Sequence, residues 1–344
     1  MPELPEVHRA ERACNHNMIR KRITKVETQQ DNLVFCGITN KEFETSILNK
    51  IVVDTGRWGK YFYFILNEKP HPVFHFGMAG DIRFKDQDAF SYRRKKSKND
   101  SEEWPPRFWK LVITLEDVND KSSPSTTMAF TDERRLARVR LVDSALTDPP
   151  ISKLGFDPLN NMLKLEDFGK LILKRRCPIK ALLLDQSFSA GIGNWIADEV
   201  LYQSKIHPSQ YTNTLSSEQI SALHEKIVYV CQTAVDANAE ASSFPNSWLF
   251  HYRWGKGNKD GTFMPDGEQI IFQTVGGRTS AIVPSAQVLV EKSNDSSRAS
   301  ENSKSARKRK AKSEKSPTES PPKSSDVKDT VNKSKKKRSR TKET

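Results

Sequence analysis

The spacing of apolar residues predicts a leading helix followed by a series of short strands. Between residues 5 and 21, apolar side chains recur at steps of three and four, the period of an amphipathic helix: Val7, Ala10, Cys14 and Met18. The runs that follow are rich in aromatic and β-branched residues, which predicts strands of an antiparallel sandwich or barrel: 51–54, 61–66, 73–76, 110–115 and 139–142. Polar insertions at 85–107 and 117–126 are predicted to be loops.

Beyond residue 148 the pattern changes from strands to helices. Asp148, Pro149 and Pro150 interrupt the periodicity and predict a domain boundary. Helical spacing then covers 165–174, 178–184, 194–204 and 216–238, and the last of these begins with a capping-box signal at Ser216. Short strand-like runs with glycine turns return at 248–284 and predict a β-hairpin. Aromatic residues vanish after about residue 292, which predicts a disordered tail.

These patterns predict an α+β fold with four parts. A β-sandwich domain with a leading helix occupies residues 2–148, and a helical domain follows at 149–247. A β-hairpin element occupies 248–290 and a basic disordered tail 291–344.

Charge and cysteine content narrow the class of protein. The net charge is +13, but residues 291–344 hold 18 Lys and Arg against 8 Asp and Glu, so most of the excess lies in the tail. Such a tail indicates a nucleic-acid tether or an import signal. The four cysteines are far apart, with neither disulfide nor zinc spacing, and no apolar run reaches the roughly 18 residues that a membrane span needs.

The start of the chain offers a nucleophile. Removal of Met1 would expose the secondary amine of Pro2 beside the carboxyl groups of Glu3 and Glu6. An α-amino group has a pKa of about 7.7–8.0, so a useful fraction is neutral and able to attack a sugar C1′ near neutral pH. A carboxylic acid beside it could protonate the sugar ring oxygen. The alternative is that Pro2 only opens a helix, as first-turn prolines do.

Seven short blocks occur in a fixed order along the chain. They read PELPEV at 2–7, RWGKY at 57–61, HFGMAG at 75–80, TDERRL at 131–136, GIGN at 191–194, IHP at 206–208 and GGRT at 276–279. Each block is weak alone, but the ordered set resembles the formamidopyrimidine-DNA glycosylase family, specifically its plant and fungal branch. The resemblance spans roughly residues 2–288.

The resemblance implies a catalytic group. Pro2 would form a Schiff base with the deoxyribose, and Glu3 would be the acid that opens the sugar ring. Lys60 would contact a phosphate near the lesion and assist β-elimination. Glu6 would orient the N-terminus, or would only cap its helix.

The resemblance also implies contacts to the damaged strand. The segment around Gly193 would be the turn of the family's helix–two-turn–helix motif, where a backbone without side chains can approach a phosphate. Asn194 and Arg278 would grip phosphates around the extruded nucleotide, and Arg176 and Lys180 match basic DNA-contacting positions. For these two basic residues, simple surface solvation is the alternative.

Three further positions match residues that occupy the space left by a flipped nucleotide. Met78 and Leu136 would fill the void and Arg134 would read the orphaned cytosine. Leu136 replaces the family's more usual phenylalanine, and a core leucine is the alternative interpretation.

Two departures from bacterial relatives affect the expected chemistry. The hairpin at 248–284 contains no cysteine, so it resembles the zincless finger of the eukaryotic branch, with apolar residues such as Phe272, Val275 and Ile282 in place of a metal. The segment between Phe244 and Gly255 is shorter than the bacterial loop that closes over 8-oxoguanine. We therefore expect weak 8-oxoguanine excision and better activity on formamidopyrimidines, hydantoins and abasic sites.

The sequence thus predicts a bifunctional DNA glycosylase and abasic-site lyase that ends in β,δ-elimination. Its partner would be double-stranded DNA with oxidised purines or abasic sites. We expect no cofactor, no metal and no membrane association, a monomeric state and a nuclear location. A non-catalytic damage binder and a Nei-like glycosylase for oxidised pyrimidines remain the alternatives, although Leu4 stands where Nei-type enzymes usually have glycine.

Overall fold

The computed structural model describes residues 2–87 and 103–290. The tail at 291–344 and most of the insertion predicted at 85–107 lie outside the described residues.

The N-terminal half is a sandwich of two four-stranded antiparallel sheets, as predicted. One sheet has the order β1-β6-β7-β5 and the other β2-β3-β4-β8. The strands are β1 (Lys21–Thr28), β2 (Val52–Trp58), β3 (Tyr61–Leu66), β4 (His71–His75), β5 (Asp81–Phe84), β6 (Trp109–Asp117), β7 (Thr126–Thr131) and β8 (Arg138–Val142).

Phenylalanine rings fill the space between the two sheets. Phe62 and Phe74 stack with their centroids 4.9 Å apart, and Phe76 and Phe130 stack across the sheets at 5.7 Å. Helix α1 (Leu4–Met18) buries the predicted apolar face, including Val7 and Cys14, in the same core. Burial of these large rings is the main force that holds the sheets together.

Sequence analysis missed four elements, namely the strands β1, β5 and β7 and one short helix. Strand β1 contains a register shift between Ile23 and Lys25, which breaks the alternation by which a strand is recognised. Helix α2 (Asn40–Ile47) has only eight residues, too few for a clear apolar period. Its capping box between Thr39 and Glu42 was a usable signal.

The C-terminal half is helical up to residue 236. It contains α3 (Leu165–Leu173), α4 (Ile179–Leu184), α5 (Asn194–Gln203) and α6 (Ser217–Asp236). Helix α6 begins with the predicted capping box, in which the side chain of Ser216 accepts a hydrogen bond from the backbone N–H of Gln219. The four helices share one apolar core with Phe156, Trp195 and Phe250.

The predicted hairpin is formed by β9 (Ile271–Val275) and β10 (Arg278–Ile282). Val275 and Ile282 are buried and Phe272 is half-buried against a small cluster with Leu249 and Met264. Side-chain packing therefore holds this hairpin against the helices.

A buried ion pair joins the sandwich to the helical half. Both guanidinium nitrogens of Arg57 donate to the Asp157 carboxylate, at 2.5 and 3.0 Å, and the backbone N–H of Gly59 donates to the same carboxylate at 2.7 Å. Burial by itself raises the pKa of Asp157, but the hydrogen bonds and charge of Arg57 outweigh it and hold the pKa below its usual value. The pair fixes the backbone just before Lys60 relative to the helical half.

Replacing Asp157 by Asn is expected to lower the free energy of unfolding at pH 7 by about 3–5 kcal/mol, because Arg57 would stay charged and buried without a counter-ion. Since folding lowers the pKa of Asp157, the pair stabilises the fold above the unfolded-state pKa of about 3.9 and loses this effect as pH falls further. Urea unfolding at pH 7 and pH 3 should show a large deficit that shrinks in acid.

The control is Asp143→Asn, which breaks the exposed Lys69–Asp143 pair, whose side chains are 68% and 65% exposed. Its unfolding midpoint should stay close to that of the unchanged protein. Equal losses in the two variants would contradict the role of the buried pair.

Candidate active site and nucleic-acid interface

The carboxyl group of Glu3 lies at the N-terminus of helix α5. Its two oxygens accept hydrogen bonds from the backbone N–H groups of Trp195, at 3.0 Å, and Ile196, at 3.1 Å. Gly193 leaves the space for this contact, because an added Cβ there would lie 2.1 Å from the Glu3 carboxyl carbon. The first residues of the chain and the turn before α5 therefore form one structure.

Burial is the largest influence on Glu3 and raises its pKa above the usual value. The charge of Lys60 and the two backbone hydrogen bonds act in the opposite direction. A carboxyl group with a raised pKa can hold a proton near neutral pH and deliver it to a substrate oxygen.

Glu6 reaches back over the start of the chain. Its Oε2 accepts a hydrogen bond from the backbone N–H of Glu3 at 2.9 Å, as part of a capping box. Burial, followed by the nearby charge of Glu3, raises its pKa to about 7. Its Oε1 is buried and has no hydrogen-bond partner among the described residues. Glu6 thus caps the helix, and its role in orienting the N-terminus stays a prediction.

Lys60 lies on the other side of the same site. Its Nζ donates to the carbonyl of Ile192 at 2.9 Å, and its side chain is buried. Burial lowers the pKa of Lys60, while the charges of Glu3 and Glu6 raise it. The Lys60 ammonium and the Glu3 carboxyl group both contact residues 192–196, although about 55 residues separate them in sequence.

Turns at Gly59 and Gly191, both with positive φ, permit this convergence. Gly191 has φ +100°, and an added Cβ would lie 2.9 Å from the Leu4 side chain. The Leu4 backbone N–H donates to the Gly191 carbonyl at 3.1 Å. Segments 2–6, 59–60 and 191–196 consequently meet at one place, and half-buried Pro2 lies at its edge.

Asn194 contacts the hairpin strand next to Arg278. The Asn194 side-chain amide donates to the carbonyl of Thr279 at 3.1 Å, and its Oδ1 is buried without a partner among the described residues. Arg278 is exposed at the start of β10, directly after the glycine turn of the hairpin. Exposed Arg176 follows the end of α3. An amide and two guanidinium groups on a surface are suited to binding phosphates.

Lys180 does not occupy the surface position expected for a phosphate contact. Its side chain is fully buried, and its Nζ donates to the Asp198 carboxylate at 2.5 Å and to Ser280 Oγ at 2.8 Å. A buried ammonium needs such partners, and these leave none of its charge directed at solvent. Lys180 thus attaches the hairpin to α5 from inside the protein.

Asp198 is the centre of this internal network. Besides Lys180, it accepts hydrogen bonds from Arg253 at 2.5 Å and from the backbone N–H of Ala281 at 3.2 Å. The network fixes β10, and with it Arg278, against the helix that begins at Asn194.

The sequence analysis missed Asp198, Arg253 and Gln186. Gln186 holds the turn before α5, because its amide donates to the Ile192 carbonyl at 2.8 Å and accepts from the Gly191 N–H at 3.0 Å. The usable signal for Asp198 was its position four residues after Asn194, on the same side of the helix. Nothing in the sequence distinguished Gln186 or Arg253.

Met78, Arg134 and Leu136 lie on two neighbouring loops of the sandwich. An added Cβ at Gly77 would lie 2.4 Å from the Leu136 backbone, so the loop of Met78 packs directly on that of Leu136. Leu136 is 38% exposed and Arg134 is exposed. The interpretation of Leu136 as a core residue is therefore wrong, and its void-filling role stays a prediction.

Within residues 2–87 and 103–290, no group of three His, Cys, Asp or Glu side chains is arranged to hold a metal ion. Among the same residues, no helix combines the length and the apolar character that a membrane crossing requires.

Family models match two parts of the chain. The formamidopyrimidine-DNA glycosylase N-terminal domain matches residues 1–139, and the family's H2TH domain matches residues 154–246. Among solved structures, a Lactococcus lactis formamidopyrimidine-DNA glycosylase bound to DNA with an abasic site superposes with a TM-score of 0.67. It is 24% identical, covering 83% of this chain and 99% of that one, which shows the shared fold.

Curated relatives agree with the family models. A formamidopyrimidine-DNA glycosylase from Arabidopsis thaliana is 44% identical over 292 residues, 85% of this chain and 72% of the relative. One from Desulfitobacterium hafniense is 28% identical over 84% of this chain and all of the relative. The plant protein is thus considerably more similar than this bacterial one. The chain belongs to the formamidopyrimidine-DNA glycosylase family.

Proposed function

We propose that the protein is a bifunctional DNA glycosylase and abasic-site lyase of base excision repair, acting on oxidised purines in double-stranded DNA. The observation that carries this proposal is the convergence of Glu3, Glu6 and Lys60 beside Pro2. Such a group supplies an amine nucleophile, a buried acid and a cation within one site. Family membership, and a solved relative bound to DNA with an abasic site, support the same activity.

The first chemical step uses the N-terminal amine. After removal of Met1, the neutral nitrogen of Pro2 attacks C1′, and the bond from C1′ to the damaged base breaks, with its electron pair leaving on the base. The base takes up the proton that the Pro2 nitrogen loses. Glu3 donates a proton to the ring oxygen, so the sugar opens and C1′ becomes an iminium carbon. The carboxylate of Glu6, adjacent to the Glu3 backbone, offers a negative charge to this cation.

Strand cleavage follows from the iminium. Loss of a C2′ proton expels the 3′ phosphate by β-elimination, and a second elimination expels the 5′ phosphate. Lys60 would stabilise the departing phosphate, while Asn194 and Arg278 hold the neighbouring phosphates. The product is a one-nucleoside gap with phosphate ends.

Borohydride trapping on an abasic duplex tests the nucleophile. We expect a covalent adduct on the N-terminal residue and a decrease of at least about 100-fold in adduct formation in Pro2→Gly, because a positioned nucleophile contributes on this scale or more. Mass spectrometry of the crosslinked peptide identifies the residue. Pro5→Ala, in the same helical turn, should still be trapped.

An adduct on another residue would reject Pro2 as the nucleophile. Tight binding without any adduct would instead favour a damage-binding protein that has lost the reaction.

The structure also supports a proposed lesion preference. The short segment between Phe244 and Gly255 is anchored, because the N–H of Phe250 donates to buried Glu199 at 2.8 Å and its ring packs on Trp195 at 5.1 Å. A segment held in this way cannot easily close over a flipped 8-oxoguanine.

Single-turnover excision from duplexes with 8-oxoguanine or formamidopyrimidine opposite cytosine measures this preference. We expect formamidopyrimidine to react at least about tenfold faster, a difference of about 1.4 kcal/mol in activation free energy. Cleavage of an abasic duplex, which needs no base recognition, is the control for active enzyme. Comparable rates on the two lesions would contradict the preference, and excision of oxidised pyrimidines alone would indicate a Nei-like enzyme.

We further propose a nuclear location, supported by the basic clusters at 307–310 and 335–338. Replacing the Lys and Arg of both clusters by Gln should abolish nuclear accumulation of a fluorescent fusion, because import receptors read the positive charge. It should also make DNA binding less sensitive to salt. The control replaces Ser with Gln at equal number in the same tail. Unchanged nuclear accumulation and salt sensitivity would contradict both roles.

A further inference from the structure

An exposed aromatic residue lies beside the turn that contains Arg134. Phe108 is 44% exposed, and the Arg107 guanidinium lies over its ring, 4.6 Å from the centroid. The pair immediately precedes β6, whose first residue, Trp109, pairs with Thr131 at the end of β7. It therefore adjoins the turn of residues 132–136.

Hydrogen bonds make Phe108 and this turn one rigid unit. The backbone N–H of Asp132 donates to the Phe108 carbonyl at 3.0 Å. The Asp132 carboxylate in turn accepts from the backbone N–H groups of Arg134, at 3.0 Å, and Ala137, at 2.7 Å. Any surface that contacts Arg134 is consequently next to Phe108.

Residues 107–110 and 131–136 form a rim whose backbone is strained. Phe108 has φ +63° and Arg135 has φ +56°, a region that side-chain-bearing residues avoid, bulky ones above all. Such conformations cost about 1–3 kcal/mol each and tend to occur at functional sites. Because the Phe108 ring is exposed, its burial in the protein does not offset the cost of this backbone conformation.

The charge of this face favours a polyanion. Asp31 is neutralised by Lys110, at 3.0 Å, and Arg135, at 2.9 Å. The remaining exposed charges include the guanidinium groups of Arg107 and Arg134 and the carboxylate of Glu133. The rim as a whole is net positive and carries two exposed apolar side chains, Phe108 and Leu136.

We propose that Arg107 and Phe108 bind the backbone of the DNA strand opposite the lesion, with the ring against a deoxyribose and the guanidinium on a phosphate. The inference rests on the proposed function, in which the 132–136 turn meets the orphaned base. Arg107 covers one face of the Phe108 ring, and the 44% exposure of this residue leaves part of its surface for the nucleotide. This pair extends the contact from one base to its flanking backbone.

The test measures binding, independently of catalysis, to duplexes with an uncleavable tetrahydrofuran abasic analogue. Phe108→Ala should weaken binding about fivefold, and Phe108→Tyr should restore it, because the ring is retained. Arg107→Ala should reduce the slope of log K against log salt by about one, while Phe108→Ala leaves the slope unchanged. Tyr229→Ala is the matched control, since Tyr229 is also 44% exposed and carries Lys226 over its ring.

A second duplex assigns the strand. When the complementary strand lacks the nucleotides opposite and next to the lesion, Phe108→Ala and the unchanged protein should bind equally. A deficit that persists on this gapped duplex, or binding by Phe108→Ala equal to that by Tyr229→Ala on the intact one, would overturn the inference. Borohydride trapping by the unchanged protein is read separately, so failure of the proposed catalysis is distinguishable from failure of this contact.

Discussion

The hydrogen bonds between the Glu3 carboxyl group and the N-terminus of α5 are the interaction on which the site depends. They connect the third residue of the chain to residues 195 and 196, and so bring the start of the sandwich onto the helical half. Burial at this contact raises the pKa of the carboxyl group, and this effect outweighs the hydrogen bonds and the charge of Lys60, which lower it. Gly193 is required because no side chain fits between the helix and the carboxyl group.

Two buried ionic networks hold the parts of the site around this contact in place. Arg57 and Asp157 fix the strand end that leads to Lys60, and Asp198 fixes the hairpin that carries Arg278. Both carboxylates are fully satisfied by guanidinium, ammonium or backbone donors, which is the condition for a buried charge to be tolerated. The proposed chemistry of Pro2 and the proposed phosphate contacts therefore depend on groups that are buried inside the protein.

The two surfaces that would contact DNA differ in construction. Asn194 and Arg278 are held by the Asp198 network from beneath, so a damaged strand would meet polar groups on a rigid support. The rim of Phe108, Arg134 and Leu136 is held by backbone hydrogen bonds at Asp132 and presents apolar and cationic side chains together. Polar groups suit the phosphates of an extruded nucleotide, while apolar groups suit the space that it leaves.

The sequence by itself determined the local features of this protein: the period of α1, the aromatic strands and the capping box at Ser216. It also supplied the prediction that Pro2, Glu3, Glu6 and Lys60 form the reactive group. These depend on short-range spacing or on motifs within a few residues. Only the tertiary structure decided that Lys180 is internal and Leu136 external, and that Asp198, Arg253 and Gln186 hold the site. The reason is physical, since burial and pairing depend on side chains tens or hundreds of residues apart, and no local pattern records which of them meet.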